Sequence, residues 1–151
     1  MSSAMNYTLF FDGGARGNPG IAGSGAALFD KHGVEVDCCW HYCGADKTNN
    51  FAEYTGLIKG VEMLIKNKLD FSTVTIKGDS MLVIKQCKGE FKISNPGLKQ
   101  LYAELKALVE GVVGVKGVFV SSHFKSFEHV PRADNKRADK LSNIAMNLGP
   151  L

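Results

Sequence analysis

The stretch Tyr7 to Gly20, YTLFFDGGARGNPG, decides how the rest of the chain is read. Tyr7 to Phe11 is a short apolar and aromatic run, which predicts a strand, and the glycine-rich Gly13 to Gly20 after it predicts a tight turn. Asp12 stands between them, where strand logic would place another valine or isoleucine. A carboxylate that breaks the local pattern points to function. A turn aspartate capping the glycine segment is the structural alternative.

Outward from this point, Gly25 to Phe29 and Val34 to Tyr42 read as two further strands separated by Asp30 to Gly33, giving an antiparallel meander. The pattern then changes. After the polar Thr48, Asn49 and Asn50, the residues Leu57, Val61, Leu64 and Ile65 recur at helical spacing and predict a helix over Phe51 to Leu64. Val74 to Lys77 predicts a short strand, and Ser80 to Gln86 and Leu98 to Val109 predict helices. Gly111 to Gly117 reads as a connection, Val118 to His123 as the last strand and Lys136 to Asn147 as the last helix. Strands first, then strands alternating with helices, predict an α/β fold. Its mixed sheet joins three antiparallel strands to two more that arrive through helical crossovers.

The 151 residues suit one domain, taken as residues 1–151. With 18 basic against 15 acidic residues, the net charge of +3 permits contact with a polyanion without by itself indicating one. Cys38, Cys39, Cys43 and Cys87 lack paired CxxC spacing and read as reduced packing residues rather than a zinc site. No run is apolar enough for a membrane span, and Met1 to Met5 carry no leader pattern. An intracellular compartment, cytoplasm or nucleus, is expected.

Three further acids stand out. Glu53, three residues after Asn50, reads as a first-turn residue that a capping box would explain. Asp79 follows a strand, at the end where open α/β sheets place their ligands, or it caps the next helix. Asp139 falls inside the last helix, beyond its first turn, where aspartate is a poor helix former; Asp134 is the expected cap there. Converging carboxylate oxygens suit Mg²⁺ or Mn²⁺. The chemistry that needs such a cluster is phosphodiester hydrolysis with two metals about 3.5–4 Å apart.

The strings FDGGARGNPG (Phe11 to Gly20), TNNFAEY (Thr48 to Tyr54), KGDS (Lys77 to Ser80) and HVPRADNKRADKLSN (His129 to Asn143), in this order, resemble the type 1 ribonuclease H family. They are similar to its short domains of archaeal, bacterial and plant reverse-transcriptase-like type. The resemblance implies a ribonuclease H-like fold, a five-stranded mixed sheet flanked by helices. It implies an endoribonuclease that cuts the RNA strand of RNA/DNA hybrids with two Mg²⁺ ions, Mn²⁺ being possible, and leaves 5′-phosphate and 3′-hydroxyl ends. Asp12, Glu53, Asp79 and Asp139 would be the metal-binding carboxylates. His129, in a mobile loop before the last helix, would assist proton transfer or product departure.

By the same resemblance Gly13, Gly14, Arg16 and Asn18 would approach RNA 2′-hydroxyls, the groups that distinguish RNA from DNA. Thr48, Asn49, Asn50 and Ser80 would contact the nucleic acid, Thr48 in a pocket for a DNA phosphate; without the match, the first three read as helix capping. Two departures are visible. Only Lys88 to Ser94 joins the two middle helices, where many members carry a basic protrusion, so Lys85, Lys88, Lys92 and Lys99 are candidate substitutes for phosphate contact. Asp46 stands where some members place an arginine beside the phosphate pocket. The protein is expected to act as a monomer, without an obligatory protein partner and away from membranes. The alternatives are a catalytically silent nucleic-acid-binding domain on the same fold and a nuclease of different specificity.

Overall fold

The computed structural model describes residues 5–150; Met1 to Ala4, part of the stretch read for a leader, and Leu151 lie outside the described residues. Strands β1 (Tyr7–Arg16), β2 (Gly20–Phe29) and β3 (Glu35–Lys47) form the antiparallel meander. Helix α1 (Asn49–Lys66) leads to β4 (Val74–Gly78), and helices α2 (Met81–Cys87) and α3 (Pro96–Val113) lead to β5 (Ser126–His129) and α4 (Lys136–Leu148). The sheet order is β3-β2-β1-β4-β5, with β4 parallel to both β1 and β5. The expected five-stranded mixed sheet is therefore present, flanked by four helices.

Helix α1 forms where periodicity places it. Thr48 caps it by accepting a hydrogen bond from the Phe51 amide at 3.1 Å, and Leu57, Val61 and Leu64 are fully buried along one face. Each such side chain contributes about 2 kcal/mol by leaving water. Leu9, Phe11, Val74 and Ile76 meet that face from the sheet. A buried polar pair in this layer is satisfied: the Tyr54 hydroxyl donates to Gln86 Oε1 at 2.6 Å. Among the described residues no helix is long and apolar enough to cross a membrane, and all four cysteines are free.

Several expected boundaries are corrected. The glycine segment is not all turn, because β1 runs on to Arg16 and pairs with Ile21 to Ser24; the turn proper is Gly17 to Pro19, with Gly17 at φ +87°. The last strand is Ser126–His129 rather than Val118 to His123. Ser122 donates from both its amide and its hydroxyl to the Phe119 carbonyl, which winds Val120–His123 into a 3-10 turn. Val118 and Phe119, whose apolarity suggested a strand, are 39% and 56% exposed, whereas Phe127 of β5 is buried. Helix α3 absorbs part of the expected Gly111 to Gly117 connection and ends at Gly114, which adopts the left-handed conformation at φ +79°. Asp134 does not cap α4; it closes a 3-10 turn, and Asn135 holds the cap position.

Candidate active site

The parallel pairing of β1 with β4 puts Phe11 opposite Gly78, so the next residues, Asp12 and Asp79, stand side by side at one edge of the sheet. Glu53 reaches them from above because α1 lies against the β1 backbone. A Cβ on Gly13 would collide with the Ala52 backbone, and one on Gly56 with the Asp12 carbonyl. Glycine is needed at both points for close approach. One oxygen from each of Asp12, Glu53 and Asp79 lies within 4.8 Å of the others.

Asp139 comes from α4, which packs on the opposite face of the sheet. Gly23 and Gly25 of β2 leave room for the Ser142 and Ala138 backbone, so the helix sits deep enough for Asp139 to line the same cavity as Asp12, Glu53 and Asp79. That cavity measures about 340 Å³. Glu53 lies in the second turn of α1, not the first, so a capping box does not account for it; Asp139 is in the first turn of α4, not beyond it. Removal of the capping explanation leaves Glu53 with no evident structural role.

The electrostatics point the same way. Burial, followed by the nearby Asp79 charge, pushes the Asp12 carboxyl up to about 7, although the Gly13 amide donates to it at 2.8 Å. Burial and the Asp12 charge raise Glu53 well above the usual carboxylate range. Glu53 Oε1 is buried with no hydrogen-bond partner. Packed carboxylates with an unsatisfied oxygen have the chemistry of a hard-cation site, and the residues fit Mg²⁺ or Mn²⁺. Arg132 Nε stands 3.9 Å from Asp79 Oδ2.

The remaining expected residues divide. Gly13, Gly14, Arg16 and Asn49 line the acidic cavity. Arg16 donates to Asn143 Oδ1 on α4 at 3.2 Å. Asn49 braces the glycine segment: its Oδ1 accepts from the Ala15 amide at 2.8 Å, and its own amide donates to Asn18 Oδ1 at 3.0 Å. Thr48 and Asn50 border a second cavity with Asn18, Lys47 and Asn95. Ser80 caps α2, its hydroxyl accepting from the Val83 amide at 3.2 Å. His129 is the last residue of β5 rather than part of a loop, because β5 stays paired with β4 through Gly78; its side chain is exposed outside the acidic cavity.

Of the four candidate lysines, Lys85 and Lys88 both pair with Glu90, at 3.5 and 3.6 Å, which lowers the free positive charge there. Sequence reasoning missed Arg132, Asn135 and Asn143. Arg132 and Asn135 looked like ordinary polar residues before a helix and Asn143 like one on its face; the 3-10 turn before α4 brings Arg132 to Asp79, and the packing of α4 brings Asn135 to the Phe11 carbonyl and Asn143 to Arg16.

A mixed sheet with carboxylates gathered at the ends of its central parallel pair defines the ribonuclease H-like class. The sequence profile described as reverse transcriptase-like matches residues 10–145. The bifunctional protein Rv2228c of Mycobacterium tuberculosis is 37% identical over 145 residues, covering 95% of this chain but 36% of that protein. The chain thus spans about a third of the length of that relative. Ribonuclease H of Pseudomonas syringae is 33% identical over 150 residues, covering 89% of this chain and 88% of that protein. The crystal structure of LC11-RNase H1 in complex with an RNA/DNA hybrid superposes with a TM-score of 0.81 at 34% identity, covering 95% of this chain and 98% of that one. This chain belongs to the ribonuclease H family, in its reverse transcriptase-like branch.

Proposed function

We propose that the chain is an endoribonuclease that hydrolyses the RNA strand of RNA/DNA hybrids and leaves 5′-phosphate and 3′-hydroxyl ends. The observation that carries this reading is the convergence of Asp12, Glu53 and Asp79 within 4.8 Å around a buried Glu53 oxygen that has no partner in the protein. The solved complex of a 34% identical structure with an RNA/DNA hybrid supports the choice of substrate.

Asp12, Glu53, Asp79 and Asp139 would hold two Mg²⁺ ions, with Mn²⁺ as a substitute. Bound there, divalent cations supply a water nucleophile at neutral pH and offset charge on the phosphate. The protein's own groups then have separate tasks. Gly13 and Gly14, without side chains, leave backbone groups open to a 2′-hydroxyl. Asn49 and Asn18 hold that segment in place, and Arg16 stands ready for a phosphate at the cavity mouth. Thr48 and Asn50 would receive the DNA strand at the second cavity, and Ser80 would present α2 to the backbone. His129, exposed at the strand end, would carry a proton to the departing 3′ oxygen or assist release of product. The protein would work as a single-domain monomer.

A panel of labelled substrates with Mg²⁺ tests this: RNA/DNA hybrid, single-stranded RNA, duplex RNA and duplex DNA. Cleavage confined to the hybrid's RNA strand, with 5′-phosphate ends, is expected. Binding of the hybrid without cutting, under Mg²⁺ or Mn²⁺, would replace this reading by that of a silent binding domain.

A further inference from the structure

Asn135 occupies the cap position of α4, yet its side chain makes no capping hydrogen bond to that helix. Asparagine at this position ordinarily accepts from an amide in the first turn, a bond worth about 1 kcal/mol. Here the carboxamide is turned inward instead. Its residue is 1% exposed, and its Nδ2 donates to the Phe11 carbonyl at 2.9 Å, one residue before Asp12. The backbone of the same residue faces the other way along the chain: its carbonyl accepts from the Asp139 amide at 3.1 Å.

One residue therefore bridges the backbone next to Asp12 and the backbone of Asp139, through two hydrogen bonds and no flexible side chain beyond its own. Nothing else among the described residues joins β1 to the start of α4 so directly. The Arg137 pair with Glu35 reaches β3, and the Arg16 bond to Asn143 lies a turn further along the helix. The capping bond is forgone, and a buried amide is committed to the strand instead. The carboxamide oxygen, Oδ1, is buried without a protein partner, so the orientation is not chosen to satisfy that oxygen.

Resting on the metal-dependent reading above, we infer that Asn135 is a positioning residue that fixes the spacing between Asp12 and Asp139, and with it the geometry in which divalent cations are held. It touches neither substrate nor metal; it acts through the two carboxylates.

The test compares wild type, Asn135→Ala and a core truncation on α3, Val109→Ala, which controls for lost stability alone. Mn²⁺ affinity is measured by calorimetry on the free protein, and kcat and KM on the hybrid, all well below each variant's Tm. Groups that orient metal ligands typically alter metal affinity or activity about 10–100-fold. The expectation is that Asn135→Ala loses about 10-fold or more in Mn²⁺ affinity and in kcat, with KM for hybrid little changed, while Val109→Ala keeps both. Asn135→Ser, which removes the amide donor but leaves a polar group, serves if the alanine variant does not fold. Asn135 variants that match the Val109→Ala control in Mn²⁺ affinity and kcat would reduce Asn135 to a structural residue. A wild type that binds no Mn²⁺ would overturn the functional reading, and this inference with it.

Discussion

Asp12 shows at the scale of one residue how a site works against the fold that carries it. Its carboxyl titrates at about 7 in the folded chain, above the 3.8 of an unperturbed aspartate, because burial and the Asp79 charge disfavour ionisation. A raised carboxyl binds more protons folded than unfolded. Its stabilising contribution is therefore full below about 4 and lost as pH rises through about 7. Above that, the ionised group opposes folding unless a cation offsets it. At roughly 1.4 kcal/mol per pH unit, the difference amounts to about 2–4 kcal/mol. In chelator, Asp12→Asn should be more stable than wild type at pH 8 by that amount, with the gap closing near pH 4. The substitution preserves an oxygen to accept from the Gly13 amide. Urea denaturation at the two pH values measures this, and equal stabilities at pH 8 would show that Asp12 is not strained by ionisation. Addition of Mg²⁺ should raise the Tm of the wild type and leave that of the variant nearly unchanged.

Between elements, the site depends on how closely helices approach the sheet, and glycines set that distance. Gly13 and Gly56 admit α1 to β1, and Gly23 and Gly25 admit α4 to β2. A Gly13→Ala substitution should push α1 outward or unfold its contact, destabilising by about 3 kcal/mol or more as an overpacked contact. It should also lower kcat, because Glu53 rides on α1. Circular dichroism melts with hybrid cleavage check both, and a variant with wild-type Tm would contradict the packing account. The faces of α1 and the meander were legible in the sequence because burial imposes periods of 3.6 and 2 on apolar residues. Gly13 was read as turn because a glycine required by a neighbouring helix looks the same as one required by a bend. The strand at Ser126–His129 was missed because only Phe127 among its four residues is apolar and buried, while the exposed Val118 and Phe119 imitated a strand.

Across the whole molecule, the carboxylate cluster is assembled from four separate parts of the chain: β1, α1, the end of β4, and α4. Asp12 and Asp79 could be placed together from sequence because strand ends in an α/β sheet share an edge. The roles of Arg132, Asn135 and Asn143 could not, because they arise only when the segment after β5 and α4 itself fold back onto the sheet. On the proposed reading, the modest net charge and the paired Lys85 and Lys88 would leave substrate grip to the two cavities rather than to a broad basic face. What those acids do turns on whether they work through a divalent cation. The decisive measurement is the rate of hybrid cleavage across a Mg²⁺ titration, starting in chelator, for wild type and Asp79→Asn. No cleavage in chelator, a saturable rise with Mg²⁺, and a loss of at least about 100-fold in kcat for Asp79→Asn at every concentration are predicted, a loss of about 2.7 kcal/mol or more. Cleavage that persists in chelator, or an Asp79→Asn variant that keeps the wild-type rate, would contradict it.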